Sequence, residues 1–114
     1  MTTPLKQGDY PIRKRVTIAD APGLRVRELH LDADQCVPWH FHTSITDTFF
    51  CMEGPLVVET RAPDGAPGPT HVLDEGGTVA VPPGHAHYVH GQDGPCRFMI
   101  VQGVGDYDYV PAGD

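Results

Sequence analysis

Asparagine is absent from this chain, and lysine and arginine together number only eight. Without asparagine, the turns that need a left-handed residue must use glycine or aspartate. The eight cations stand beside 15 acids, and the resulting net charge of −7 speaks against nucleic acid and anionic membranes as partners. Three cysteines, Cys36, Cys51 and Cys96, are an odd number with no CxxC pair, which argues against a disulfide framework and a zinc-finger spacing. No run approaches the ~18 apolar residues of a membrane-spanning helix. The opening MTTPLKQGDYPIRKR has neither an apolar core nor a cleavage pattern. It does not read as a signal peptide, and the expected compartment is a reducing cytoplasm. At 114 residues the chain is expected to be a single domain, 1–114. That is too short for a dinucleotide-binding doubly wound sheet or an eight-fold α/β barrel.

Sustained helical periodicity is also missing. Gly and Pro supply 25 of the 114 residues, roughly twice the usual ~12%, and such punctuation favours short strands joined by turns. Runs rich in Val, Ile, Thr and aromatics predict strands near 11–18, 24–31, 37–42, 47–53, 55–61, 70–73, 77–82, 86–90 and 96–103. Leu24 and Val26 alternate with Arg25 and Arg27, but the apolar phase moves to Leu29 and Leu31; a β-bulge near Glu28 would account for the switch. The stretch 62–69 is read as a loop too proline-rich for a strand. The alternation of Tyr107, Tyr109 and Val110 suggests a last edge strand. The fold class is all-β, a barrel or sandwich, with a closed double sheet favoured because it leaves fewer open edges.

Charge is unevenly spread. Residues 1–27 hold six of the basic residues, Lys6, Arg13, Lys14, Arg15, Arg25 and Arg27, against Asp9 and Asp20. The plain reading is a basic edge strand lying on an acidic domain. The sharper one is an arm, residues 1–15, that packs on a neighbouring subunit.

The chemistry concentrates in histidine, of which there are seven. In Trp39-His40-Phe41-His42 the two imidazoles are two residues apart, so on a strand they share a face, with Trp39 and Phe41 on the other. Alone, such a pair reads first as two satisfied structural histidines beside a turn aspartate. Here Asp47 follows five residues later, and Pro82-Pro83-Gly84-His85-Ala86-His87 supplies a turn that returns His87 toward the same interior. Three imidazoles and a carboxylate favour one divalent transition metal (Fe, Mn, Ni, Cu or Zn) over Mg or Ca. Phe49, Cys51 and Phe98 are candidate pocket-lining residues. His85, His90, His30 and His71 are read as solvated, and Glu53 and Glu59 as surface acids without a visible partner.

The pattern resembles the cupin superfamily. The first cupin motif has His-x-His, three or four residues, Glu, six residues and Gly; here His40, His42, Asp47 and Gly54 stand at that spacing. The second has Gly, five residues, Pro-x-Gly, two residues and His, then three residues and Asn; Gly76, Pro82, Gly84, His87 and Gly91 match its spacing. Asp47 replaces Glu, Gly91 replaces Asn, and the Gly that usually precedes His-x-His is missing, position 34 being Asp. The shorter Asp47 leaves three options open: direct ligation, ligation through water, or a three-His site. The resemblance implies a single jelly-roll (double-stranded β-helix) cupin barrel and a likeness to small one-domain cupins. It also implies a homodimer, and a metal-dependent enzyme acting on a small oxygen-rich molecule, with dioxygenase chemistry first. A non-redox isomerase, lyase or cyclase is the alternative, and a sensing or binding module without turnover the third.

Overall fold

A computed structural model describes residues 10–113. Ten strands run in chain order: β1 (Lys14–Ala21), β2 (Leu24–Leu31), β3 (Cys36–Phe41), β4 (Thr46–Glu53), β5 (Leu56–Arg61), β6 (Pro67–Leu73), β7 (Thr78–Val81), β8 (His87–Gly91), β9 (Cys96–Gly103) and β10 (Val110–Pro111). They form two five-stranded antiparallel sheets, ordered β1-β2-β9-β4-β7 and β10-β3-β8-β5-β6. The sheets face each other as a jelly roll, with the core between them. Among the described residues no helix is long and apolar enough to cross a membrane.

Strand alternation decides what lies inside. Phe98, Ile100 and Gln102 on β9 are buried, and so are Asp47, Phe49 and Cys51 on β4. Register places Gln102 beside Asp47, Ile100 beside Phe49 and Phe98 beside Cys51. In the opposite sheet Val89 stands beside Val37 and Val58, and His87 beside His40 and Thr60. The inner surface is therefore graded. Leu31, Leu56, Val58 and Phe98 close one end with apolar side chains, and the polar side chains gather toward the other.

Several expectations are corrected. The bulge is not at Glu28: β2 pairs with β9 in unbroken register from Leu24 to Leu31. The register shift lies on β1 between Thr17 and Ala19. Parity along β2 is thus kept, and Arg25 and Arg27 share the inward face of Leu29 and Leu31. The change in hydropathy marks a passage from apolar interior to polar mouth, not a kink. β1 is an edge strand but carries only Lys14 and Arg15 of the six basic residues, Arg25 and Arg27 being on β2 inside the sheet. It runs three residues past the predicted end, because the Pro22-Gly23 turn (Gly23 φ +78°) forms the hairpin to β2.

Pro67, Gly68 and Pro69 belong to β6 and not to a loop. β6 is an edge strand, where a residue without an N–H can face outward at no cost to a ladder. The C-terminal strand is only Val110–Pro111, paired with Phe41 and His40 of β3. Of the N-terminal arm, residues 1–9 lie outside the described residues. Residues 10–13 pack on this chain's own barrel: Tyr10 is buried, and the Arg13 amide donates to the His30 carbonyl at 3.0 Å.

Candidate metal centre

β3 and β4 do not pair with each other. The link at 42–45 carries the chain from one sheet to the opposite one, so Asp47 meets the histidines across the interior and not from a neighbouring strand. The crossing from β7 to β8 uses the Pro82-Pro83-Gly84 turn. Gly84 adopts φ +83°, a conformation that favours glycine, and its amide donates to the His42 carbonyl at 2.8 Å. That bond ties the two histidine segments together, and His87 then lies directly opposite His40.

The result is a buried cluster. His40, His42, Asp47 and His87 are 4%, 2%, 0% and 1% exposed, and one ligand-type atom from each lies within 4.8 Å of all the others. The ring nitrogens facing away from the cluster fix its chemistry. His40 Nδ1 lies 2.8 Å from the Pro38 carbonyl, His87 Nδ1 lies 3.1 Å from the His85 carbonyl, and His42 Nδ1 bonds the Asp108 carbonyl. A carbonyl oxygen can only accept, so each Nδ1 carries the proton. A ring that is neutral in this tautomer points its Nε2 lone pair inward. His42 Nε2 and His87 Nε2 stand 2.9 and 2.8 Å from Asp47 Oδ2, and His40 Nε2 stands 3.9 Å away. Lone pairs at such distances repel unless a proton or a cation lies between them. The donor set fits a divalent transition metal, and these four side chains could hold one.

The family model described as Cupin matches residues 23–111. This chain belongs to the cupin family. An oxalate oxidase structure aligns with this cupin at TM-score 0.69 and 18% identity, over 79% of this chain and 46% of the other. The cupin thus spans about half the length of the oxalate oxidase chains it matches. KdgF from Halomonas sp. aligns at TM-score 0.69 and 15% identity, covering 88% of this chain and 89% of that one. A cupin-2 domain protein from Shewanella frigidimarina aligns at TM-score 0.60 and 19% identity, with 82% of each chain covered. At such identities the likeness speaks for the fold alone. No curated protein sequence matches this cupin.

Electrostatics in the cupin site follow from burial and from Asp47. Burial alone would raise the Asp47 pKa, but the hydrogen bonds of His42 and His87 outweigh it and hold the carboxyl well below the usual range. Burial pulls His42 down, yet bonding to Asp47 and its charge leave the imidazolium favoured above its ordinary value. His40, farther from the carboxylate, is pushed down to about 3 by burial first and then by His87. His40 is therefore neutral at any physiological pH and keeps a free lone pair on Nε2.

Phe49 and Phe98 line the cavity next to His40, with Leu29 and Ile100. Cys51 is in the apolar core beside Phe98 and does not line that cavity. Several contacts escaped the sequence reading. Gln102 Nε2 donates to Asp47 Oδ1 at 3.3 Å, the remaining oxygen of that carboxylate. The segment after β9 builds a wall of the site. Tyr109 stacks on His40 with ring centroids 4.5 Å apart, and Tyr107 lies 5.1 Å from His42. Asp108 accepts from the Thr43 amide and hydroxyl at 2.9 and 2.6 Å, which anchors the carbonyl that orients His42. On the outer face, three residues read as unpartnered find partners. Glu59 meets His90 at 2.7 Å, Glu53 meets Arg97 at 3.1 Å, and His30 meets Glu28 at 2.5 Å. His85 stays in the turn, and Trp39 packs against Tyr88 on the outside, at 5.6 Å.

Proposed function

We propose that His40, His42 and His87, with Asp47, bind one divalent transition metal, and that the protein is a metal-dependent enzyme acting on a small oxygen-rich molecule. Fe, Mn, Ni, Cu and Zn are the candidate ions. The observation that carries this reading is the orientation of the three imidazoles. Each spends its Nδ1 proton on a backbone carbonyl and turns Nε2 to a common point beside an ionised, fully buried carboxylate. When bound, such an ion acts as a Lewis acid and, if redox-active, can engage O₂. The chain's own residues supply the rest. Gln102 holds Asp47 in place, Asp108 holds His42 through its carbonyl, and Phe49, Phe98 and Leu29 exclude water.

Oxidation of the dioxygenase type is the first reading. The fold neighbours include oxalate oxidase, an oxidase of a small oxygen-rich acid, and the apolar wall suits a reaction that must keep water out. One observation favours a non-redox isomerase, lyase or cyclase instead. Tyr107 sits against His42, and burial pushes its phenol up to about 12. It therefore keeps its proton at neutral pH and could deliver it to an enolate-like centre.

Oxygen uptake separates these readings. The protein is reconstituted with each of the five metals and offered small phenolic, dicarbonyl and hydroxy-acid compounds in an oxygen-electrode cell. Substrate-dependent uptake that disappears in His87→Ala is the expected result. Conversion that proceeds equally under nitrogen would move the assignment to the non-redox class. No conversion by any loaded form would leave a binding module.

A further inference from the structure

The basic residues of the N-terminal quarter raise a question that the metal cluster does not answer. Arg27 lies on β2, faces inward, and lines the same cavity as His40, Gln102 and Tyr107. Its Nε is buried and has no hydrogen-bond partner, and Gln102 Oε1 in the same cavity has none either. No Asp or Glu lines that cavity, and Arg27 makes no ion pair among the described residues. Asp47 pairs with His40, His42 and His87 and not with Arg27. Two further arginines stand close by. Arg25 lies over the Tyr107 ring at 4.4 Å and Arg15 over the Tyr10 ring at 5.1 Å, and both rings line the cavity.

In a chain of net charge −7, one arginine thus lines the cavity and two more stand behind its tyrosine walls, of which Arg25 is paired with Asp20 at 3.9 Å. Arg27 is half-buried; its buried Nε–H without an acceptor is costly, and the groups that meet a guanidinium best are planar oxyanions. Burial disfavours the charged form of Arg27, and Arg25 and Arg15 add to this against the opposing pull of Tyr107 and Tyr10, so an anion beside it would favour the charge.

We infer that this cavity is the substrate pocket and that its substrate is a small carboxylate with a hydroxyl or carbonyl on the neighbouring carbon, the carboxylate held by Arg27. The inference rests on the metal reading above: the second oxygen faces the His40 side of the same cavity, and Gln102 Oε1 is a ready acceptor for a substrate hydroxyl. The cavity is small, about 10 Å³, which is room for about one water. Entry of even a two-carbon acid therefore needs a wall residue to shift, and Tyr107 is the one we assign. Tyr107 belongs to the irregular segment between β9 and β10 and not to a strand, so its displacement breaks no ladder.

Glycolate and its neutral isostere glycolamide test the assignment by calorimetry on the zinc-loaded protein. The wild type should bind glycolate about 10- to 100-fold tighter than glycolamide, the range expected of a charge-assisted hydrogen bond. Arg27→Gln should abolish that preference while zinc content and the urea midpoint stay unchanged, and Arg27→Lys should restore part of it. Equal binding of acid and amide by the wild type, or a preference that survives in Arg27→Gln, would overturn the inference. Repeating the titration on metal-free protein separates the two claims. Failure to take up zinc with the acid preference intact sinks only the metal reading. Zinc uptake without any acid preference sinks only the pocket assignment.

Discussion

His87→Ala is expected to lower metal affinity by more than ~100-fold, since loss of a partner that merely orients a ligand already costs about 10- to 100-fold. His87 is the only one of the three imidazoles supplied by the second histidine segment, and it closes the cluster from β8, opposite His40. Without it, His40 and His42 offer two nitrogens from a single stretch of chain, and Asp47 loses its contact at 2.8 Å. The ring is 1% exposed, so alanine also leaves a hole. His87→Gln serves as the companion variant, because it fills most of that volume without an imidazole lone pair. Elemental analysis after equilibration with excess metal and gel filtration reads both. Retained stoichiometric metal in both variants would mean that the ion sits elsewhere.

Phe98→Ala should destabilise the fold by about 3–5 kcal/mol, the usual cost of deleting a large buried aromatic ring. Phe98 is 0% exposed. It lies on the central strand of its sheet, between Leu29 of β2 and Cys51 of β4, and its ring is 5.7 Å from that of Phe49. The sheets pack from both sides of this ring, so the backbone cannot readily collapse into the space left. Against a typical total of about 5–15 kcal/mol, the loss is large enough to read from urea unfolding. The midpoint should fall with the slope unchanged. A loss below ~1 kcal/mol would show that Phe98 is not a keystone of the core.

Much of this was legible in the chain itself, for physical reasons that differ by residue. β2 and β9 were read with both ends correct, because each is bounded by glycine, aspartate or proline and carries a run of β-branched and apolar residues. His40 and His42 share a face because strand periodicity is two. The glycine and proline spacing around His87 fixed the turn that aims it.

Other features were hidden by the assumption that apolar means inside. Arg25 and Arg27 face inward, and the apparent phase switch on β2 is the signature of that polar mouth. A reader who kept the parity of Leu29 and Leu31 would have found them. Gln102 was available in the same way, as the next inward position after Phe98 and Ile100. Asp108 was not, because its hold on His42 spans 66 residues and starts from a segment with no strand periodicity. The Glu59–His90 contact likewise depends on the β5–β8 register, which no local pattern encodes. Edge position rescued Pro67 and Pro69 as strand residues, and edge position is a property of the assembled sheet.

The proposed chemistry requires a metal ion among the three converging Nε2 atoms. The direct measurement is an anomalous difference map from crystals of the protein equilibrated with Zn(II) or Mn(II). The predicted result is one peak per chain, bonded by Nε2 of His40, His42 and His87, with Asp47 beside it. A map with no peak among those rings would contradict a metal at this site, as would a metal held only by surface residues.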